Sequence, residues 1–268
     1  MTDSLSGLVD AALRAARETG KDVAQVRVEV IAQYAGMSRS TLLRRLGGSR
    51  TALDDAVRDR GIDPGGVPVR IRAVAAAAAV IGEQGLGAAT LEAVAARAQC
   101  SVPSMFAIFG NRDTLLREVF EQYSPVRDVE AFFATRPDGD LRDTVNAFYR
   151  MLAGALNRPP RVMPAIFAEV FARPSSPAVQ ALAGHAAPRM AGLVGAWLAD
   201  EATCGRIRDD VPTVLLVPQL MAPLVFQQLL RPVAEVAIGG LPDLDTACAE
   251  FTDMFVRAVA PRSSNPRK

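Results

Sequence analysis

An all-α fold is predicted by three observations on this sequence. Apolar residues recur at three- to four-residue spacing along most of the chain, strand-like alternation of β-branched and aromatic residues is nearly absent, and one helical pattern is written twice. The repeat aligns Ile31–Val57 with Val94–Phe120 without gaps at an offset of 63 residues. Six of the 27 pairs are identical and eight more pair apolar with apolar, enough to read the two stretches as copies of one unit. At 268 residues, half of them apolar and 22% charged, the chain can form one large or two to three small domains without a disulfide or metal staple.

The first copy reads as short helices near 5–19, 23–35, 38–46 and 49–60. "GIDPGGVP", Gly61 to Pro68, concentrates Gly and Pro and marks the clearest boundary. After it the same order returns at 68–84, 90–97 and 101–107, followed by a longer helix from about Asn111. Ser38, Thr90, Ser101 and Asn111 stand where N-caps belong, and Pro103 falls in a first turn, where its missing N–H does no harm. "RPDGD", Arg136 to Asp140, is a softer break.

Beyond it the helices lengthen: "LRDTVNAFYRMLAGAL", "RVMPAIFAEVFA", "PAVQALAGHAAPRMAGLVGAWLADEA", "DVPTVLLVPQLMAPLVFQQLLR" and "LDTACAEFTDMFVRAVA" each carry an apolar stripe. In the last, Leu244, Ala247, Phe251, Met254, Phe255, Ala258 and Val259 share one side. The run from Val211 is interrupted by three prolines and three glutamines, so it reads as a buried helix and not as a membrane span. The boundaries expected are an extra helix-turn-helix unit at 1–60, a second at 68–124, a larger helical domain at 125–260 and a disordered tail at 261–268.

Charge and cysteine usage narrow the function classes. A net charge of +1 gives no global attraction to nucleic acid or membrane, so any such attraction must be local. Cys100, Cys204 and Cys248 are odd in number and far apart, which points to a reducing cytosol and small buried side chains; a redox role for Cys100 stays open. "MTDSLSGLVD" has no secretory signal pattern. The single histidine, His185, has no metal-ligand spacing around it, and "GEQGLGAAT" lacks the strand and lysine of a phosphate loop. No nucleophile stands out, so no enzyme and no cofactor are expected.

Residues Arg70 to Phe120 resemble the DNA-binding domain of TetR-type transcriptional regulators. The features that carry this are the Ala-rich first helix, the "GLGAAT" turn, a short third helix with Phe106 and Phe109, and the junction into a Leu-rich helix with Arg112 in the place of the family's usual lysine. "CGRIRDDVPTVLLVPQLMAPLVFQQLL" is similar, more weakly, to the family's C-terminal domain. The resemblance spans about 68–260. It implies a cytoplasmic all-α homodimer, a repressor that binds a double-stranded DNA operator and releases it when a small hydrophobic or amphipathic ligand enters the C-terminal domain. Residues 1–60 depart from the family's plan.

The two copies differ in their DNA-facing chemistry. "MSRSTLLRRLGGSR" carries Arg39, Ser40, Thr41, Arg44, Arg45 and Arg50 with no acid among its 14 residues. "CSVPSMFAIFGNRD" is neutral and has Val102, Ala107 and Ile108 where the first copy has Arg39, Arg44 and Arg45. Basic and small polar side chains hold phosphates and read base edges, so the first set is a candidate DNA surface, with Thr90, Ser104 and Arg112 from the second copy. A solvated basic face is the alternative for Arg44 and Arg45. Phe133, Phe148, Met151, Phe167, Phe171, Trp197 and Met221 are candidates to line an apolar ligand pocket, against the alternative of plain core, with His185, Arg189 and Gln219 as polar groups. A protein-interaction or scaffold module built from degenerate helix-turn-helix units is the competing function.

Overall fold

The computed structural model describes residues 2–135 and 139–261. Most of the "RPDGD" break and nearly all of the 261–268 tail lie outside the described residues. Among the described residues all regular structure is helical. The first copy comprises α1 (Thr2–Thr19), a 3-10 turn at Val23–Gln25, α2 (Val28–Tyr34), α3 (Arg39–Arg45) and α4 (Thr51–Asp59). The second repeats that order with α5 (Val69–Gln84), a 3-10 turn at Leu86–Ala88, α6 (Leu91–Ala98), α7 (Val102–Phe109) and α8 (Arg112–Tyr123). Then come α9 (Val126–Ala134), α10 (Leu141–Leu156), α11 (Val162–Ala172), α12 (Pro177–Thr203), α13 (Thr213–Ala237) and α14 (Leu244–Val259).

The first copy has a core of its own. Leu8, Val9, Ala12, Ala15 and Ala16 form the inner stripe of α1 and meet Val23, Ile31, Leu42, Leu46, Leu53 and Val57. Truncating a fully buried leucine such as Leu42 to alanine would cost about 2–5 kcal/mol. The copies bury the same central positions: Leu42 and Met105, Leu46 and Phe109, Leu53 and Leu116 are all enclosed. The helix expected over 23–35 is interrupted, because Val26 and Arg27 are extended: the Val23 carbonyl accepts from Val26 N–H in the 3-10 turn and also from Arg50, and the Val26 carbonyl accepts from Arg50.

Two compact units emerge: residues 1–73 with 95–108, and residues 74–94 with 109–268. This partition runs through 68–124 and does not follow its ends. In the first unit the Gly61–Pro68 connection is fastened to the first copy, with Ala24 N–H donating to the Pro64 carbonyl at 2.8 Å. Gly65 and Gly66 both have positive φ, and a Cβ on either would lie within 2.7 Å of Asp22 or Ala24, so no other residue fits there.

In the second unit α10 packs against α9, α13 and α14, and α12 against α8, α9 and α13. Phe148, Tyr149 and Leu152 of α10 are fully enclosed. The long helix expected from Asn111 is broken into α8 and α9, since the residue before a proline is pushed out of the α region and Ser124, before Pro125, is extended. In α14 the buried face is centred on Cys248, Thr252, Phe255 and Val259, rotated from the expected stripe, and Met254 is exposed.

The buried helix expected from Val211 is a correction. Helix α13 turns only Leu216, Leu220, Leu224 and Gln228 inward, spaced by four residues, and leaves Val214, Leu215, Phe226, Leu230, Val233 and Val236 exposed. It is long and apolar enough to cross a membrane by length and composition, and it contains Pro218, Pro223 and Pro232. Pro232 cannot donate to the Gln228 carbonyl, and Arg161 takes that acceptor at 3.3 Å.

Candidate functional site

Helix α3 begins at Ser38, whose hydroxyl accepts from Thr41 N–H at 3.2 Å and lies 3.0 Å from the Ser40 hydroxyl and 2.9 Å from that of Thr41. Arg39 pairs with Glu29 at 2.7 Å, both side chains being more than half exposed. Such a pair contributes about 0.2–1 kcal/mol, so a phosphate can displace Glu29. Arg44 and Arg45 are exposed and have no ion pair or hydrogen bond among the described residues.

Arg50 and Arg112 take a different place from the one expected of them. Arg50, at the start of α4, donates to the Val23 and Val26 carbonyls and pairs with Asp54. Arg112, at the start of α8, donates to the Ala89 carbonyl at 2.8 Å and the Leu86 carbonyl at 2.6 Å. Each arginine hooks the fourth helix of its copy onto the 3-10 turn and offers few donors to DNA. The gapless repeat did not pair them: at an offset of 63 residues Arg50 falls on Asp113 and Arg112 on Ser49, so the two hooks sit one position apart in their copies.

Copy two caps its helices in the same way but presents a different surface. Thr90 accepts from Ala93 N–H at 3.1 Å, and Ser101 accepts from Ser104 N–H at 3.2 Å with the two hydroxyls 2.8 Å apart. Phe106 is 51% exposed, and Pro103 and Ala107 are exposed beside it. Burial pushes the Cys100 thiol up, and Arg72 opposes that shift.

Three of the seven candidate ligand residues come together. The Phe133 ring lies 5.6 Å from that of Trp197 and 5.8 Å from that of Phe148, and Phe132 joins at 5.7 Å from Phe148. Met151, Phe167 and Met221 are half-buried outside this ring cluster, and Phe171 sits on the surface against Phe226 at 6.0 Å. A cavity of about 300 Å³ between α13 and α14, and one of about 460 Å³ beside the Leu86–Thr90 turn and Arg173, are lined by none of the seven.

The polar groups named with them serve elsewhere. His185 and Arg189 of α12 both bind Glu121 of α8, Arg189 also holds Glu130 of α9, and Gln219 is exposed. Burial would raise the Glu121 carboxyl, but hydrogen bonds from Arg189 and His185 outweigh it and hold the group below the usual glutamate range. The buried, unpartnered indole nitrogen of Trp197 and hydroxyl of Tyr149 could not be read from the sequence, since only packing strips them of water. Among the described residues no three His, Cys, Asp or Glu side chains gather to hold a metal, and all three cysteines are free.

The second of the two capped helical copies has a family counterpart. The model of bacterial regulatory proteins of the TetR family matches residues 73–119, from within α5 to α8. The match is confined to this segment. The TetR-type fold extends further, to solved structures that share it at low identity. A TetR-family transcription regulator from Marinobacter aquaeolei is 19% identical with a TM-score of 0.55, covering 72% of this chain and 96% of its own. A TetR-family transcriptional regulator from Mesorhizobium loti is 17% identical at 0.54 with the same coverage. The regulator FadR from Bacillus subtilis, solved with stearoyl-CoA, is 13% identical at 0.57, covering 70% of this chain and 98% of its own. Among curated proteins none matches. The TetR-family match begins at residue 73, after the first copy and its connection.

Proposed function

We propose that the chain is a cytoplasmic, sequence-specific DNA-binding repressor of the TetR type that acts by binding and not by catalysis. The observation that carries the division of labour is the contrast between two helices with the same cap and register. Helix α3 presents Arg44 and Arg45 unpaired and Arg39 in a displaceable pair, whereas α7 presents Phe106, Pro103 and Ala107. On this reading the first copy supplies most phosphate and base contacts through Arg39, Ser40, Thr41, Arg44 and Arg45. Thr90 and Ser104 of the TetR-type domain add weaker contacts. Arg50 and Arg112 hold the scaffold.

The exposed apolar residues of α13 and α14 are the surface for a second copy, giving a homodimer and a two-fold operator. An amphipathic ligand in the α9–α10–α12 region weakens operator binding by the factor that operator weakens ligand binding. The neutral surface of α7 favours a second reading, that copy two docks a protein partner. Selection of bound fragments from random double-stranded DNA, followed by gel shifts at two salt concentrations, decides between them. The repressor reading expects an enriched, symmetric site; enrichment of no sequence leaves the protein-interaction module.

A further inference from the structure

Trp197 is the protein's single tryptophan and is 8% exposed. Its indole nitrogen is buried with no hydrogen-bond partner. A tryptophan N–H taken out of water ordinarily finds an acceptor, and an orphaned donor among apolar rings calls for a partner from outside the fold. Phe133 lies against the indole, and Phe148 lies against Phe133. Phe132 and Phe133 are only half-buried in the last turns of α9, so the cluster reaches the surface there.

We infer that this cluster binds a neutral, ring-bearing molecule that presents a carbonyl or ether oxygen to Trp197 Nε1. The inference rests on the ligand-controlled reading above and names the chemistry of its ligand. Ring walls favour a flat apolar body through offset and edge contacts. Neutrality follows from Glu201, one turn along α12 on the same side, which is buried and already committed to Arg206 at 2.5 Å. A ligand carboxylate would meet that carboxylate with its countercharge already used.

Benzophenone and diphenylmethane carry the same two phenyl rings and differ in the carbonyl. Titrated into the full chain by calorimetry and by Trp197 emission, both bind one site per chain, benzophenone about threefold to tenfold more tightly, the worth of one neutral hydrogen bond. Trp197→Phe removes that preference, and Tyr149→Phe, which deletes the other orphaned group, keeps it. Equal affinities in the unaltered protein, no binding of either probe, or a carbonyl preference that survives Trp197→Phe overturns the inference. The unaltered protein's two titrations stand even if a variant fails to fold. A gel shift with benzophenone separates this from the wider reading: carbonyl-selective binding with unchanged operator affinity supports the site and overturns the ligand control.

Discussion

Gly36 and Gln99 hold the same left-handed turn in the two copies, at φ +64° and +54°. Each follows the helix that leads into the exposed one, α2 before α3 and α6 before α7. A side chain in this region is strained by about 1–2 kcal/mol, and glycine is not. Gly36→Ala is expected to destabilise the chain by about 1 kcal/mol, and Gln99→Gly to stabilise it by up to about 1 kcal/mol after glycine's entropy in the unfolded chain. Urea unfolding of both variants checks this, and Gln99→Gly that destabilises the chain would contradict it.

The hook arginines and the exposed arginines should separate in experiment. Arg50→Ala and Arg112→Ala each remove a charged donor shared by two carbonyls and should lower stability by about 2–4 kcal/mol. Their effect on DNA affinity, corrected for folded fraction, should be small. Thermal unfolding with circular dichroism, alongside gel shifts, tests it; loss of DNA binding at full stability would return these two residues to the interface.

Arg44→Ala and Arg45→Ala should leave unfolding unchanged. On a selected operator, an arginine that reads a base should cost about 1–3 kcal/mol when truncated, and one that holds a phosphate should make the salt slope shallower by about 1. Thr90→Ala and Ser104→Ala should cost operator affinity less, although Thr90→Ala removes a cap worth about 1 kcal/mol of stability. The division of labour is reversed if these abolish binding while the arginine pair can be removed freely.

The exposed face of α13 should bring two chains together. Val236 is 90% exposed and Val233 68%, and both lie on a helix whose inner stripe is otherwise used. Sedimentation at micromolar concentration should show a dimer, and Val233→Asp with Val236→Asp should return it to monomer. A single 28.5 kDa species for the unaltered chain rules the dimer out.

Acid should weaken the attachment of α12 to α8. The folded Glu121 carboxyl lies below the ordinary glutamate range, because Arg189 and His185 outweigh its burial. Its contribution is therefore fully present above the unfolded pKa and is lost as pH falls through the folded one. Glu121→Gln should flatten the melting temperature measured from neutral pH down through the carboxylate range. An identical acid profile for the variant removes Glu121 from that balance.

The sequence alone determined the helical class, the repeat and its caps, because these are local: apolar spacing, a hydroxyl before a first turn, a proline in a harmless position. Ser38, Thr90, Ser101 and Asn111 all accept from backbone N–H groups three residues on. It also marked the charge contrast between α3 and α7, which side-chain chemistry alone defines. What each arginine touches was decided only by tertiary structure. Arg44, Arg45 and Arg50 look alike in a composition count, yet Arg50 faces the Val23 and Val26 carbonyls at the point where Val26 and Arg27 leave the helical path.

The same holds in the second unit. Spacing showed that α13 and α14 were apolar, but not which residues would find neighbours. The chain buries one narrow stripe of α13 and leaves the rest outside, because hydrophobic burial has no preferred direction and is settled by which surfaces meet. Phe133, Phe148 and Trp197 come from α9, α10 and α12, far apart along the chain. Only their packing placed an indole N–H where the fold supplies it no acceptor.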